Sequence, residues 1–233
     1  MITLYQYPPA FGIPSASPFC VKAEVLLKMA GVGYRSRLLS DPRKAAKKKL
    51  PYIDDDGTII ADSAFIRWHL EERHGADFDG RLTARDRAAS DAFVRMIEEH
   101  LYWILVYSRW IEPDNWARLR TEFFAELPGL LRPLITRIIQ KKVVRNLDGQ
   151  GIGRHSREEI YRLGAADLDT LATWLADKPF FMGEQPSAAD ATVYGFLASI
   201  IRPGELPSPL RDAAIAKPAF MGYCERMEQR YFA

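Results

Sequence analysis

The chain has 233 residues, enough for one large domain or two small ones, and its 48% apolar and 27% charged residues make a globular balance, not a disordered one. A formal net charge of +2 gives no field that singles out nucleic acid or a membrane as a partner, and two cysteines, Cys20 and Cys224, exclude a disulfide scaffold and suggest a reducing compartment. The N-terminus lacks the pattern of a signal peptide, and no apolar run approaches the roughly 18 residues of a spanning helix, so a cytoplasmic location is expected.

Residues 2–7 alternate in character and predict a strand. A Pro/Gly-rich loop follows over 8–16. Ser17-Pro18 then opens a helix, since serine suits the N-cap and proline the first helical position, and Val21, Val25, Leu26 and Met29 form its apolar stripe up to Gly31. Residues 34–39 predict a second strand, parallel to the first because a helix connects them. After the basic stretch 43–49 come Leu50-Pro51 and two short strands, 52–54 and 58–61, around the hairpin signal Asp55-Asp56-Gly57. Asp62-Ser63 opens another helix, ending near His74-Gly75. The fold class expected is a thioredoxin-like α/β domain of order β-α-β-α-β-β-α over 1–76, a linker at 77–82, and an all-helical domain over 83–233.

In the second domain Thr83 with Asp86 caps a long helix that Pro113 interrupts. Helices are predicted around 116–124 and 130–147, with a glycine-rich break at Gly149, Gly151 and Gly153. Ser156 with Glu159 and Ser187 with Asp190 are capping boxes for helices over about 156–176 and 188–201. Prolines 203, 207, 209 and 218 divide the tail into short helices.

Ser17-Pro18-Phe19-Cys20 sits where the first strand hands over to the first helix, and free N–H groups and the helix dipole there favour a thiolate. Redox proteins of this fold carry Cys-Pro-x-Cys. With Ser17 in the first position, the hydroxyl can hydrogen-bond a bound thiolate but cannot form a mixed disulfide. Each residue also has a plain reading, Ser17 as N-cap and Cys20 as small core residue. Leu50-Pro51 stands at the junction where this fold holds a cis proline, which leaves the preceding backbone able to pair with an extended peptide. Asp62 and Ser63 can hold an α-amino-acid group, or serve only as caps. Lys44, Lys47, Lys48 and Lys49 read chiefly as a solvated face, with Lys49 notable for adjoining Leu50-Pro51. Tyr102, Trp103, Tyr107 and Trp110 cannot all face one way; most belong to the core, and the others are candidates for an apolar pocket or a subunit interface. The four histidines show no metal-ligand spacing with the cysteines, so no metal is expected.

Together these residues resemble the cytosolic glutathione transferase superfamily. The resemblance spans nearly the whole chain, through Ser17-Pro18-Phe19-Cys20, Lys49-Leu50-Pro51-Tyr52, Asp62-Ser63 and the segment Gly183-Glu184-Gln185-Pro186-Ser187-Ala188-Ala189-Asp190. The last looks like the family's capping box, ending in a buried aspartate with a folding role. Glu99-His100-Leu101-Tyr102-Trp103, Ser108-Arg109-Trp110 and Lys178-Pro179-Phe180-Phe181-Met182-Gly183 are similar to the branch of failed axon connections proteins, cadmium-responsive transferases and metaxins.

The resemblance implies glutathione as co-substrate and a small hydrophobic electrophile as its acceptor. Ser17 would bond the glutathione sulfur, Leu50 would pair with the cysteinyl unit beside cis Pro51, Asp62 and Ser63 would hold the γ-glutamyl end, and Lys49 would reach a carboxylate. The loop over 8–16 is longer than usual, which leaves Tyr5 and Tyr7 as competitors for the thiol. A homodimer is implied, with the long helices of the second domain across a two-fold axis. Two other functions stay open: an adaptor that reuses the fold, as metaxins permit, and glutaredoxin-like thiol-disulfide exchange through Cys20.

Overall fold

A computed structural model describes residues 1–125 and 127–233. The strand-bearing part begins with β1 (Ile2–Gln6), α1 (Pro18–Met29) and β2 (Tyr34–Leu38), followed by β3 (Tyr52–Asp55), β4 (Thr58–Ala61) and α2 (Ser63–His74). The sheet order is β2-β1-β3-β4. β1 runs parallel to β2 with Ile2 opposite Tyr34, and antiparallel to β3 with Leu4 opposite Ile53. This is the thioredoxin-like order expected. The helical position between β2 and β3 holds only a 3-10 turn at Pro42–Lys44, capped by Asp41, whose carboxylate accepts from the Arg43 N–H. A stretch of solvated lysines with no apolar stripe has no face to bury, so it does not form a longer helix.

The helical part comprises α3 (Ala84–Met96), a π-helical turn at Ile97–Leu101, α4 (Tyr102–Trp110), α5 (Pro113–Phe123), α6 (Arg132–Gln150), α7 (Arg157–Leu175), α8 (Ala188–Ile201), α9 (Pro209–Ile215) and α10 (Pro218–Tyr231). The expected long helix up to Pro113 is therefore nearly continuous, with one π turn inside it. That turn holds the buried Glu98, whose Oε1 lies 2.5 Å from the equally buried Lys22 Nζ on α1. The glycine-rich break ends α6 at Gly151, at φ 112°, while Gly149 stays within the helix.

Helix α8 is buried along its whole length, and α1 lies directly against it. The close approach depends on Gly195, where a Cβ would stand 2.7 Å from the Pro18 carbonyl oxygen. Near the start of α8, Asp190 accepts four hydrogen bonds. The Phe181 N–H and Tyr223 hydroxyl bond Oδ1 at 2.7 and 2.9 Å, and the Ser187 N–H and hydroxyl bond Oδ2 at 2.8 Å each. Asp79, between α2 and α3, joins the parts by accepting from Arg67 Nη2 at 2.6 Å and from the Ala188 N–H at 3.0 Å.

Candidate active site

The segments singled out in the sequence meet at one end of the sheet. Cys20, in the first turn of α1, shares a small buried cluster with Leu50, Tyr52 and Ala61. That packing brings the Ser17 turn, the Leu50-Pro51 segment and the start of α2 together. The Leu50–Pro51 peptide bond is cis, as the context predicted. The Asp62 N–H reaches the Pro51 carbonyl at 3.4 Å. Asp62 itself lies at φ 98°, a region that side chains disfavour by about 1–3 kcal/mol, while its Oδ1 caps α2 through the Ala64 N–H at 2.9 Å. Strain at an exposed residue beside a helix N-terminus with the buried Ser63 is the kind that surrounding structure retains where a ligand is held.

Ser17 is the N-cap of α1 in extended conformation, yet its hydroxyl makes no capping bond, and it is only half-buried. Its plain reading as a cap therefore lacks its hydrogen bond. Cys20 is fully buried, and that burial pushes its thiol up to about 11, partly offset by the Tyr7 backbone and the Ser15 and Ser17 hydroxyls. A thiol so buried and protonated is unsuited to attack a disulfide, which weighs against exchange through Cys20. Tyr5 stacks on Tyr52 at 4.2 Å between centroids, with the Arg37 guanidinium over its ring, so it packs on the sheet. Tyr7 lines the cavity described below, and burial raises its hydroxyl pKa strongly, keeping it a hydrogen-bond donor. Of the two tyrosines, Tyr7 is the one that lines the cavity.

The long loop over 8–16 folds into its own small hairpin, with paired bonds between Ala10 and Ile13 at 3.2 and 3.0 Å and Phe11 and Gly12 at positive φ. Its tip residue Phe11 is buried with Leu119 and Leu206 and stacks on Phe123. A cavity of about 270 Å³ opens between this loop and α5, lined by Tyr7, Pro8, Pro9, Ala10, Ala16 and Ser40 on one side and Glu122, Phe123 and Ala125 on the other. Small-molecule sites take this form, apolar walls with a few polar groups.

None of Tyr102, Trp103, Tyr107 and Trp110 lines that cavity. Tyr102 packs edge-on against Phe19 and Phe196, Trp103 against Tyr102, and Tyr107 against Tyr161. Trp110 stacks on Trp116 in the layer behind Phe123. All four are half-buried and pack on neighbouring rings, and the wall of this cavity falls to the next helix. The lysines 44, 47, 48 and 49 are exposed, as expected of a solvated face. Lys47 has a local role, donating to the Ala61 carbonyl at 3.1 Å with its ammonium over the Phe65 ring.

Sequence reasoning assigned no role to Arg109, which reaches from α4 into the site loop. Its guanidinium is buried and donates to the Ala16 carbonyl from Nη1 at 3.0 Å and to the Ser199 carbonyl from Nη2 at 2.7 Å. Ser199 lacks an intrahelical partner because the residue four positions on is Pro203, which has no N–H. Arg109 thus satisfies that orphan and fixes the backbone immediately before Ser17. Burial pulls its pKa down to about 10, with Tyr102 opposing. Ser15 is a second unforeseen residue, fully buried, its hydroxyl donating to the Tyr7 carbonyl at 3.0 Å. An isolated arginine among aromatics gave no signal for either contact.

Residues 18–115 match the family model of the glutathione S-transferase N-terminal domain, and residues 164–227 match that of the glutathione S-transferase C-terminal domain. The chain is 32% identical over 240 residues to isoprene-epoxide–glutathione S-transferase of Rhodococcus sp. strain AD45, covering 99% of each protein. It is 33% identical over 243 residues to Failed axon connections of Drosophila melanogaster, covering 100% of this chain and 58% of that one. Metaxin-1 of Homo sapiens is 27% identical over 240 residues, covering 98% of this chain and 51% of that protein. Among solved structures, a glutathione S-transferase of Ceriporiopsis subvermispora in complex with glutathione superposes with a TM-score of 0.68 at 19% identity, covering 100% of this chain and 98% of that one.

Proposed function

The chain belongs to the glutathione S-transferase superfamily, and we propose that it binds glutathione, holds its sulfur as thiolate and adds it to a small hydrophobic electrophile. The observation that carries the reading is the convergence of the Ser17 turn and the strained Asp62–Ser63 helix start on the Leu50–Pro51 segment, beside a cavity of about 270 Å³. In this reading Leu50 pairs with the cysteinyl backbone, Asp62 and Ser63 hold the γ-glutamyl end, and Lys49 reaches a carboxylate. Ser17 donates to the sulfur at the N-terminus of α1. Lowering a thiol pKa by about two units takes roughly 3 kcal/mol, within reach of a hydroxyl bond and a helix N-terminus together.

The isoprene-epoxide transferase supports an epoxide as the electrophile class. The thiolate attacks a ring carbon, a C–S bond forms, the C–O bond breaks, and the departing oxygen takes a proton. Tyr7, protonated and lining the cavity, is the residue suited to supply that proton, which solvent then replaces. Calorimetric titration with glutathione, beside Asp62→Ala, tests the ligand. Micromolar to low-millimolar binding that Asp62→Ala weakens supports it, and no binding by the folded chain removes it.

Ser17→Ala and Tyr7→Phe separate the two hydroxyls. Loss of thiolate stabilisation moves the pH–rate profile to higher pH with every electrophile. Loss of a proton donor slows epoxide opening while sparing an aryl halide, whose leaving chloride needs no proton. Unchanged turnover in Ser17→Ala removes Ser17 from the mechanism.

The likeness to Failed axon connections and metaxin-1 supports a second reading, an adaptor that reuses the fold. A folded chain that ignores glutathione but retains partners in pull-downs favours it. Exposed Phe65, Trp68, Leu134 and Ile138 support a homodimer that covers apolar surface. No helix among the described residues is long and apolar enough to cross a membrane, in keeping with the cytoplasmic location we propose.

A further inference from the structure

At the opposite end of α2 from Asp62 and Ser63, two histidines converge on one carboxylate oxygen. His69 Nε2 lies 2.8 Å and His74 Nε2 2.7 Å from Asp55 Oδ2, and one ligand atom from each of the three residues lies within 4.8 Å of the others. Asp55 closes β3 at the hairpin, while both histidines sit in the last turns of α2. The sequence search tied histidines to cysteines and so did not join residues that meet only when the hairpin folds against the helix. We propose that Asp55, His69 and His74 form a binding site for a divalent transition-metal ion of the Zn²⁺ class.

The donor set favours that class. Two imidazole nitrogens and one carboxylate oxygen suit zinc, cobalt or nickel, whereas calcium and magnesium prefer oxygen ligands. Zinc bonds of about 2.0–2.2 Å at tetrahedral angles separate donors by about 3.3–3.5 Å, so each histidine need withdraw from Asp55 by only about 0.5–0.8 Å. Both ring and carboxylate movements of that size are open, because the cluster is partly exposed and His74 is at the surface. Three protein ligands leave a fourth position for water. The neighbouring carboxylates have their own partners, Asp54 accepting from the Gly57 N–H and Asp56 from the N-terminal ammonium, which leaves Asp55 to the two histidines.

The ion would clamp the β3–β4 hairpin to the C-terminal end of α2. His69 and His74 stand six and eleven residues beyond Ser63, about 9 and 16 Å along the helix at 1.5 Å each, so the ion is a structural clamp and takes no part in thiol chemistry.

Tag-free protein without glutathione is titrated with Zn²⁺ by calorimetry and with Co²⁺ by visible absorption. The expected result is saturable one-to-one binding, with the strong visible bands of four-coordinate cobalt. His69→Gln and His74→Gln each weaken it by at least the roughly tenfold that loss of even an outer-shell partner costs, and His155→Gln does not. His74 is exposed, so its variant keeps the fold, as circular dichroism verifies, and the proposal stands or falls on it even if His69→Gln unfolds. No saturable binding by the folded wild type leaves only a hydrogen-bonded Asp–His cluster and overturns the proposal. So does binding that survives both substitutions, or a cobalt–thiolate charge-transfer band, which would put the ion on cysteine.

Discussion

Replacing Arg109 tests the claim that the helical part sets the position of Ser17. The guanidinium makes two charge-assisted bonds, to the Ala16 and Ser199 carbonyls, and such bonds contribute about 1.5–3 kcal/mol each. Against this stands the cost of holding a charge there. The pKa falls from 12.5 to about 10, which corresponds to about 3 kcal/mol of unfavourable burial. Arg109→Met removes both the bonds and the buried charge, so the net loss of stability should lie between about 0 and 3 kcal/mol. Arg109→Lys keeps a buried charge but replaces a planar fork by a single ammonium unable to serve both carbonyls in the same geometry. Lysine should therefore destabilise more than methionine, the reverse of ordinary conservative-substitution reasoning.

The functional effect should exceed the stability effect. With the Ala16 carbonyl released, Ser17 and one wall of the cavity lose their anchor, while the two hydrogen bonds of Arg109 go to Ala16 and Ser199 and not to Leu50, Asp62 or Ser63. Glutathione affinity by calorimetry should change less than about threefold, and turnover should fall by tenfold or more, as misplacement near reacting atoms typically produces. Urea unfolding of both variants and steady-state kinetics of Arg109→Met are the assays. If lysine is the milder substitution, the buried-charge argument is wrong. If turnover in Arg109→Met equals wild type, Arg109 does not position the thiol site.

Three further outcomes follow from the geometry. Gly195→Ala places a Cβ 2.7 Å from the Pro18 carbonyl, and overpacking against backbone should cost about 1–3 kcal/mol in chemical denaturation while pushing the start of α1, and with it Ser17, off position. Asp190→Asn turns an amide NH₂ toward either the Ser187 donors or the Phe181 and Tyr223 donors, and should cost about 2–4 kcal/mol; a loss under about 0.5 kcal/mol would mean the network is dispensable. Burial raises Cys20 to about 11 and Cys224 to about 12, above the ordinary thiol value of about 8.5, so the unfolded chain releases these protons first. Stability should then decline as pH rises above about 8.5, by up to about 1.4 kcal/mol per pH unit per thiol until each folded pKa is passed. Cys20→Ala/Cys224→Ala should flatten that slope, and a slope equal to wild type would show the thiols to be accessible in the fold.

What the sequence disclosed divides by the range of the contacts involved. Local chemistry was legible: Ser156 with Glu159 and Ser187 with Asp190 form the capping boxes their spacing predicts, and Asp55-Asp56-Gly57 turns the hairpin. The three segments proposed for the site also stand out in the sequence, because each is a local conformation at the end of an element. The pocket wall was not. Period 3.6 says that Tyr102, Trp103, Tyr107 and Trp110 occupy different faces of one helix, but not which face meets another helix and which meets space. That depends on where α5 and the loop over 8–16 settle, and Phe11 and Phe123 decide it together. Arg109 and the Asp55, His69 and His74 cluster were hidden for the same reason, since their partners lie in other elements.

Those long-range contacts share a direction that bears on how the site works. Arg109 holds the Ala16 carbonyl from α4, Gly195 admits the Pro18 turn against α8, Glu98 meets Lys22 from the π turn, and Asp79 ties Arg67 to the start of α8. Three of these four act on residues 16–22, the segment that carries Ser17. The first turn of α1 is thus braced from the helical part as well as by the Cys20 cluster, whereas Leu50, Asp62 and Ser63, the residues proposed for the glutathione side, lie on the sheet and at the start of α2 without those helical braces. Perturbations in the helical part should accordingly move turnover before they move glutathione affinity, and perturbations in β3, β4 or the start of α2 should do the opposite. Paired measurements of kcat and glutathione Kd across Arg109→Met, Gly195→Ala and Asp62→Ala would reveal that split, and parallel losses in both quantities in every variant would show instead that the two halves of the site move as one body.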